Sequence, residues 1–137
     1  MPCGRRQFLL CGFLFACGLS SCTPESPVAE SAYSSRLVGE WRGTVGDDRE
    51  VISFKADGRF TCQLQPLGFI ANTLGQGIAG TIRGTWAVDG KIITLSISSA
   101  EDERVLNKAT TSTIVSFKAD ELKVKSDLGE TSTFVRL

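Results

Sequence analysis

The sequence predicts an all-β protein, a small antiparallel up-and-down barrel of about eight strands set behind a signal peptide and a linker. Three observations carry this prediction. From Leu37 onward apolar residues recur with a period of two, the pattern of strands with one face in a core and the other in water. Turn-forming residues punctuate the runs at short intervals. At 137 residues the chain suits one domain, and a meander of that size removes its exposed edges best by closing on itself.

Residues 1–21 read as a leader. Arg5 and Arg6 give a positive start, and Phe8 to Leu19 is an apolar run of twelve residues. A bilayer core of about 30 Å takes roughly 20 helical residues, so the run suits a signal peptide rather than a membrane span. Arg5-Arg6-Gln7-Phe8-Leu9 also looks like the core of a twin-arginine export signal, with Gly4 in place of the usual Ser or Thr, so both export routes stay open. Residues 22–35 hold Cys22 and a Ser-, Pro- and Glu-rich stretch without apolar periodicity. That composition predicts a flexible linker with a root-mean-square span of roughly 20 Å.

The domain is expected over residues 36–137, with strands at 37–45, 49–55, 59–65, 80–88, 91–98, 104–117, 121–126 and 131–136. Phe60, Cys62 and Leu64 alternate with Thr61 and Gln63, and Ile93, Leu95 and Ile97 with Thr94, Ser96 and Ser98. Gly46-Asp47-Asp48, Asp57-Gly58, Asp89-Gly90, Ala119-Asp120-Glu121 and Asp127-Leu128-Gly129 supply the turns; Asp-Gly pairs tolerate the positive φ of tight hairpins. No long segment reads as a helix.

Composition excludes whole classes of chemistry. Fifteen basic residues balance fifteen acidic ones, which removes the electrostatic argument for nucleic acid, since that needs a basic patch or stripe. The absence of histidine removes Ser-His and Cys-His catalysis and His-ligated metal. Cys3, Cys11 and Cys17 fall in the leader; with Cys22 set aside, Cys62 is the sole domain cysteine, so neither a disulfide nor a cysteine metal cluster is expected within the domain. Cys62, on the inward parity, reads as a small buried hydrophobe. Glu101-Asp102-Glu103 lacks the alternating ligands and glycine of a calcium loop and reads as a solvated turn. With no nucleophile marked by a base, the expectation is a protein that is not an enzyme and uses no cofactor or metal.

Leu19-Ser20-Ser21-Cys22 resembles the lipobox of bacterial lipoproteins. The resemblance implies cleavage before Cys22 and acylation of its thiol and new amine, making the membrane a partner through lipid. Each buried methylene contributes about 0.8 kcal/mol, so two or three chains anchor durably. It also implies residence in the cell envelope. Thr23, in place of the Asp that retains lipoproteins at the inner membrane, implies the periplasmic face of the outer membrane in a Gram-negative cell.

Gly39-x-Trp41 is similar to the first signature of lipocalins, which implies that Trp41 plugs one barrel end and that Arg136 stacks over it. A guanidinium on an indole face contributes about 2 kcal/mol when desolvated. The whole of 36–137 resembles the short lipocalin-like domains of bacterial lipoproteins, through that opening, the Phe54-x-x-Asp57-Gly58-x-Phe60 hairpin and Gly84-x-Trp86. The middle signature of full lipocalins is not evident, and the domain is much shorter than theirs.

Eight strands leave an interior just wide enough to be filled by side chains or to hold one small ligand. The resemblance favours a small apolar or amphipathic ligand held near Trp41 and Trp86. The uncharged, glycine-rich stretch Pro66–Gly80 would then serve as a lid, using Leu67, Phe69, Ile70 and Leu74. Barrel volume favours the alternative, a filled barrel that meets an envelope protein through its outer face, with 66–80 closing one end. An inhibitor of a periplasmic or extracellular hydrolase is a third reading, and it needs that stretch to protrude.

Overall fold

The computed structural model describes residues 26–45 and 48–137. The leader, Cys22, Thr23 and the Gly46-Asp47 turn signal lie outside the described residues. Eight strands follow in order: β1 (Gly39–Val45), β2 (Asp48–Phe54), β3 (Arg59–Leu64), β4 (Gly80–Asp89), β5 (Ile92–Ala100), β6 (Ala109–Phe117), β7 (Glu121–Ser126) and β8 (Thr131–Arg136). Each pairs antiparallel with the next. β8 returns to β1 with Arg136 opposite Trp41, closing the barrel. The predicted fold class is the observed one.

Alternation produces the closure directly. Phe60, Cys62 and Leu64 of β3 and Leu122, Val124 and Ser126 of β7 point inward, while Glu121, Lys123 and Lys125 face water. The inward residues form one continuous apolar core. At the Asp-Gly hairpins Gly58 has φ +89° and Gly90 φ +60°, conformations that a side chain would strain.

Two expectations need correction. The strand expected at 104–117 starts only at Ala109. The Asp102 carboxylate accepts the Arg104 amide at 3.0 Å and turns Glu103–Val105 into a single 3-10 turn. Asn107, at φ +65°, then redirects the chain. The linker expected through Ser35 is structured well before its end. The Val28 amide donates to the Phe117 carbonyl at 2.8 Å, and a short helix α1 (Tyr33–Leu37) follows. Tyr33 and Leu37, one helical turn apart, are both buried, and Tyr33 stacks on Phe117 with ring centroids 5.3 Å apart. The first strand accordingly starts at Gly39 rather than Leu37.

Up-and-down topology sends successive connections to alternate ends. One end, here called the tether end, carries α1 and the turns at 55–58, 90–91 and 118–120. The far end carries the 65–79 connection with its helix α2 (Phe69–Leu74), the 101–108 connection and the 127–130 turn.

Candidate functional site

At the tether end Trp41 is fully buried, and its indole N–H donates to the Leu37 carbonyl at 2.9 Å. The Arg136 guanidinium carbon lies 4.2 Å from the centre of the Trp41 ring. Its nitrogens donate to three carbonyls: Nε to Ala119 at 3.0 Å, Nη1 to Val38 at 3.0 Å and Nη2 to Arg36 at 2.6 Å. One side chain thus ties α1, the start of β1 and the β6–β7 turn to β8. Gly39 has φ +134°, and a Cβ there would stand 2.7 Å from Arg136 Nη1. The Gly39-x-Trp41 spacing therefore has a local cause: the glycine makes room for the cation that covers the tryptophan.

At the far end the glycine-rich stretch does not protrude. Phe69, Ile70, Ala71, Leu74 and Ile78 are buried, and Phe69 meets Phe134 edge-on at 6.1 Å. Leu67, at 62% exposure, is the one predicted lid residue that faces solvent. The packing is organised around Glu50, which sequence reasoning missed. Its carboxylate is buried and accepts the amides of Ile70 at 2.8 Å and Ala71 at 3.1 Å. Gly68 packs so closely on that carboxylate that a Cβ would overlap it. Burial pushes the Glu50 carboxyl above its ordinary value of 4.5, against the lowering effect of the surrounding backbone amides, Ile70 and Ala71 foremost. Its parity with Ile52 and Phe54 could have flagged it, as a charge on the inward face of β2.

Between these closures the interior is nearly full. The residual cavity is about 30 Å³ and is lined mainly by apolar side chains, among them Trp41, Phe54, Phe69, Ile70, Leu95 and Phe134, with Ser112 as a polar exception. That volume holds about one or two water molecules, whereas small-molecule sites run to about 300–1,000 Å³. The predicted ligand residues are not gathered in one pocket: Leu67 and Phe69 line an open outer groove of about 940 Å³ together with Thr131, Thr133 and Val135. Trp41, Phe69 and Ile70 line the small cavity from different ends, and Leu74 packs beside them. Trp86 lies apart, half-buried, edge-on to Phe54 at 5.1 Å, with its N–H donated to the Lys55 carbonyl at 3.0 Å.

Elsewhere the chemistry is quiet. Cys62 is a free, buried thiol, and burial pushes its pKa well above the ordinary value. Asp102 pairs with Arg104 at 2.6 Å, and the Arg104 guanidinium reaches the Gln76 and Gly77 carbonyls at 3.4 Å, pinning the far-end connections together. Among the described residues no three His, Cys, Asp or Glu side chains group to hold a metal, and no helix is long and apolar enough to cross a membrane.

No protein-family model matches the chain, and no curated protein matches it in sequence. Solved structures do resemble it. A lipocalin-like protein from Bacteroides uniformis covers 74% of this chain and 99% of its own, at 17% identity and a TM-score of 0.50. A second Bacteroides uniformis protein, solved by NMR, is 22% identical over 75% of this chain and 90% of its own, with a TM-score of 0.48. An uncharacterized protein from Bacteroides eggerthii is 11% identical over 74% and 99%, also at 0.48. The closed eight-stranded meander and the first of these likenesses together identify the architecture of this chain as a lipocalin-like barrel.

Proposed function

We propose that the chain is a cell-envelope lipoprotein, anchored through acylated Cys22, whose barrel is a filled scaffold that meets an envelope partner through its outer surface. One observation carries this reading: among the described residues, the apolar cavity inside the barrel is only about 30 Å³. It supports the filled-barrel alternative over ligand carriage. The inward packing of 66–80 leaves an inhibitor reading without a projecting loop. The anchor is supported by the leader and by Leu19-Ser20-Ser21-Cys22. It puts the protein in the envelope, on the periplasmic face of the outer membrane if the cell is Gram-negative.

Titration of the delipidated domain with a fluorescent fatty acid tests the filled barrel. The expected result is no displaceable binding at micromolar concentration. Displaceable binding that disappears when Phe69 is enlarged to Trp would overturn it in favour of an interior ligand. That second reading has its own support, because Phe69 and Ile70 of α2 supply part of the cavity wall and α2 is followed by Gly75 at φ +145° and Gly77 at φ +68°. Palmitate labelling in cells, lost in Cys22→Ser, tests the anchor.

A further inference from the structure

The structured segment ahead of β1 changes how the barrel sits on its anchor. The sequence predicts a loose linker from Thr23 to Ser35, yet the chain is already bound to the barrel at Val28, whose amide meets the Phe117 carbonyl at the tether end. From Cys22 to Val28 is six residue steps, which fully extended reach at most about 22 Å. An acylated Cys22 therefore holds this end, and not the far one, against the bilayer.

That end carries an apolar groove of about 720 Å³ between α1 and β4, lined by Val38, Ala56, Trp86, Ala87 and Val88 beside two serines and Gly58. Trp86 spends its only donor on the Lys55 carbonyl, so what it shows the groove is ring without an unsatisfied polar group. The groove lining itself holds no charged side chain, and the neighbouring connections carry exposed charges of both signs, Arg36, Lys55, Arg59 and Lys91 with Glu30, Asp57 and Asp89. Attraction of the groove to lipid therefore has to come from apolar burial.

We propose that the tether end is a membrane-resting face whose groove takes up acyl-chain methylenes of the bilayer that carries the anchor. This rests on the acylation of Cys22 proposed above. The bilayer is the one apolar phase held permanently within reach of the groove, and Trp is a residue suited to the boundary between lipid and water.

The acylated full chain, reconstituted into phosphatidylethanolamine–phosphatidylglycerol vesicles with brominated acyl chains, provides the test through tryptophan emission. Trp41 is buried beneath Arg136, so the signal reports Trp86. The expected result is quenching in the wild type that persists in high salt and is lost in Trp86→Phe. Ala87→Glu, which keeps both tryptophans and alters an exposed position, is expected to reduce the quenching as well. Mass spectrometry of the same preparation separates the two ways of failing. An acylated protein that is unquenched, or equally quenched in both variants, overturns the resting face alone; an unacylated Cys22 overturns the anchor and the resting face with it.

Discussion

At the tether end a cation lies over Trp41, while at the far end an anion lies under α2, and the two closures put opposite demands on their surroundings. Arg136 sits at the rim with its side chain 25% exposed. Its planar fork bridges three carbonyls without a large desolvation cost, since guanidinium is weakly hydrated. Glu50 sits inside the barrel and is tolerable there only because the chain delivers two backbone amides to it. A guanidinium keeps its charge under ordinary conditions, whereas the charge on a buried carboxyl such as Glu50 depends on pH. The comparison teaches that a small barrel can be sealed by a permanent ion at its margin or by a conditional one in its core, and that only the second ties closure to acidity.

The largest expected effect breaks the tether end. Trp41→Ala removes the biggest fully buried side chain and is expected to cost about 3–5 kcal/mol in urea unfolding; a loss below about 1 kcal/mol would mean that the indole is not the plug. Next comes Arg136→Lys, which keeps the charge but loses the fork. We expect a loss of about 1–3 kcal/mol in the same measurement, and a variant as stable as wild type would show that charge alone holds the rim.

The smallest effect sharpens the far end. Because the Glu50 pKa is raised by folding, the folded state binds its proton more tightly than the unfolded chain does. Its contribution to stability is therefore full below about 4.5 and falls as pH rises through the raised folded value. Glu50→Gln should lose that dependence, so that it appears as the difference between the two stability–pH curves, and the Ile70 and Ala71 amides should exchange faster in hydrogen-exchange measurements. Parallel curves would mean that Glu50 is indifferent to folding. Asp57 and Asp102 act in the opposite sense, their pKa values lowered by Arg59 and Arg104, but below the ordinary Asp value of 3.8 and so outside this window.

The strands were legible because a period of two is local: Phe60, Cys62 and Leu64 report their own face without reference to the rest of the chain. Trp41 and Arg136 were legible through a resemblance, which is how residues on opposite strands of the seam came to be considered together. α1 was not, since Tyr33 and Leu37 make a single apolar turn inside a Ser-rich stretch that composition alone reads as linker. Nor was the role of Glu50. Its inward parity was visible, but its partners lie on Ile70 and Ala71, and no local pattern says where a glycine-rich connection will deliver its amides. The same limit applies to 66–80, whose uncharged, glycine-rich composition was compatible with both a lid and an end closure.

The seam between β1 and β8 also governs how the molecule is built. Arg136 reaches the carbonyls of Val38 and Arg36 across sequence separations of 98 and 100 residues. Joining residues that far apart costs more loop entropy than closing a hairpin does, and the seam is favoured once the intervening hairpins have shortened the path between them. Until then β1 offers an unpartnered margin to any neighbouring chain, which makes unfinished copies prone to cross-pairing. A nascent molecule is safest in dilute surroundings, and the bond that completes its architecture is also the one that withdraws this margin from its neighbours.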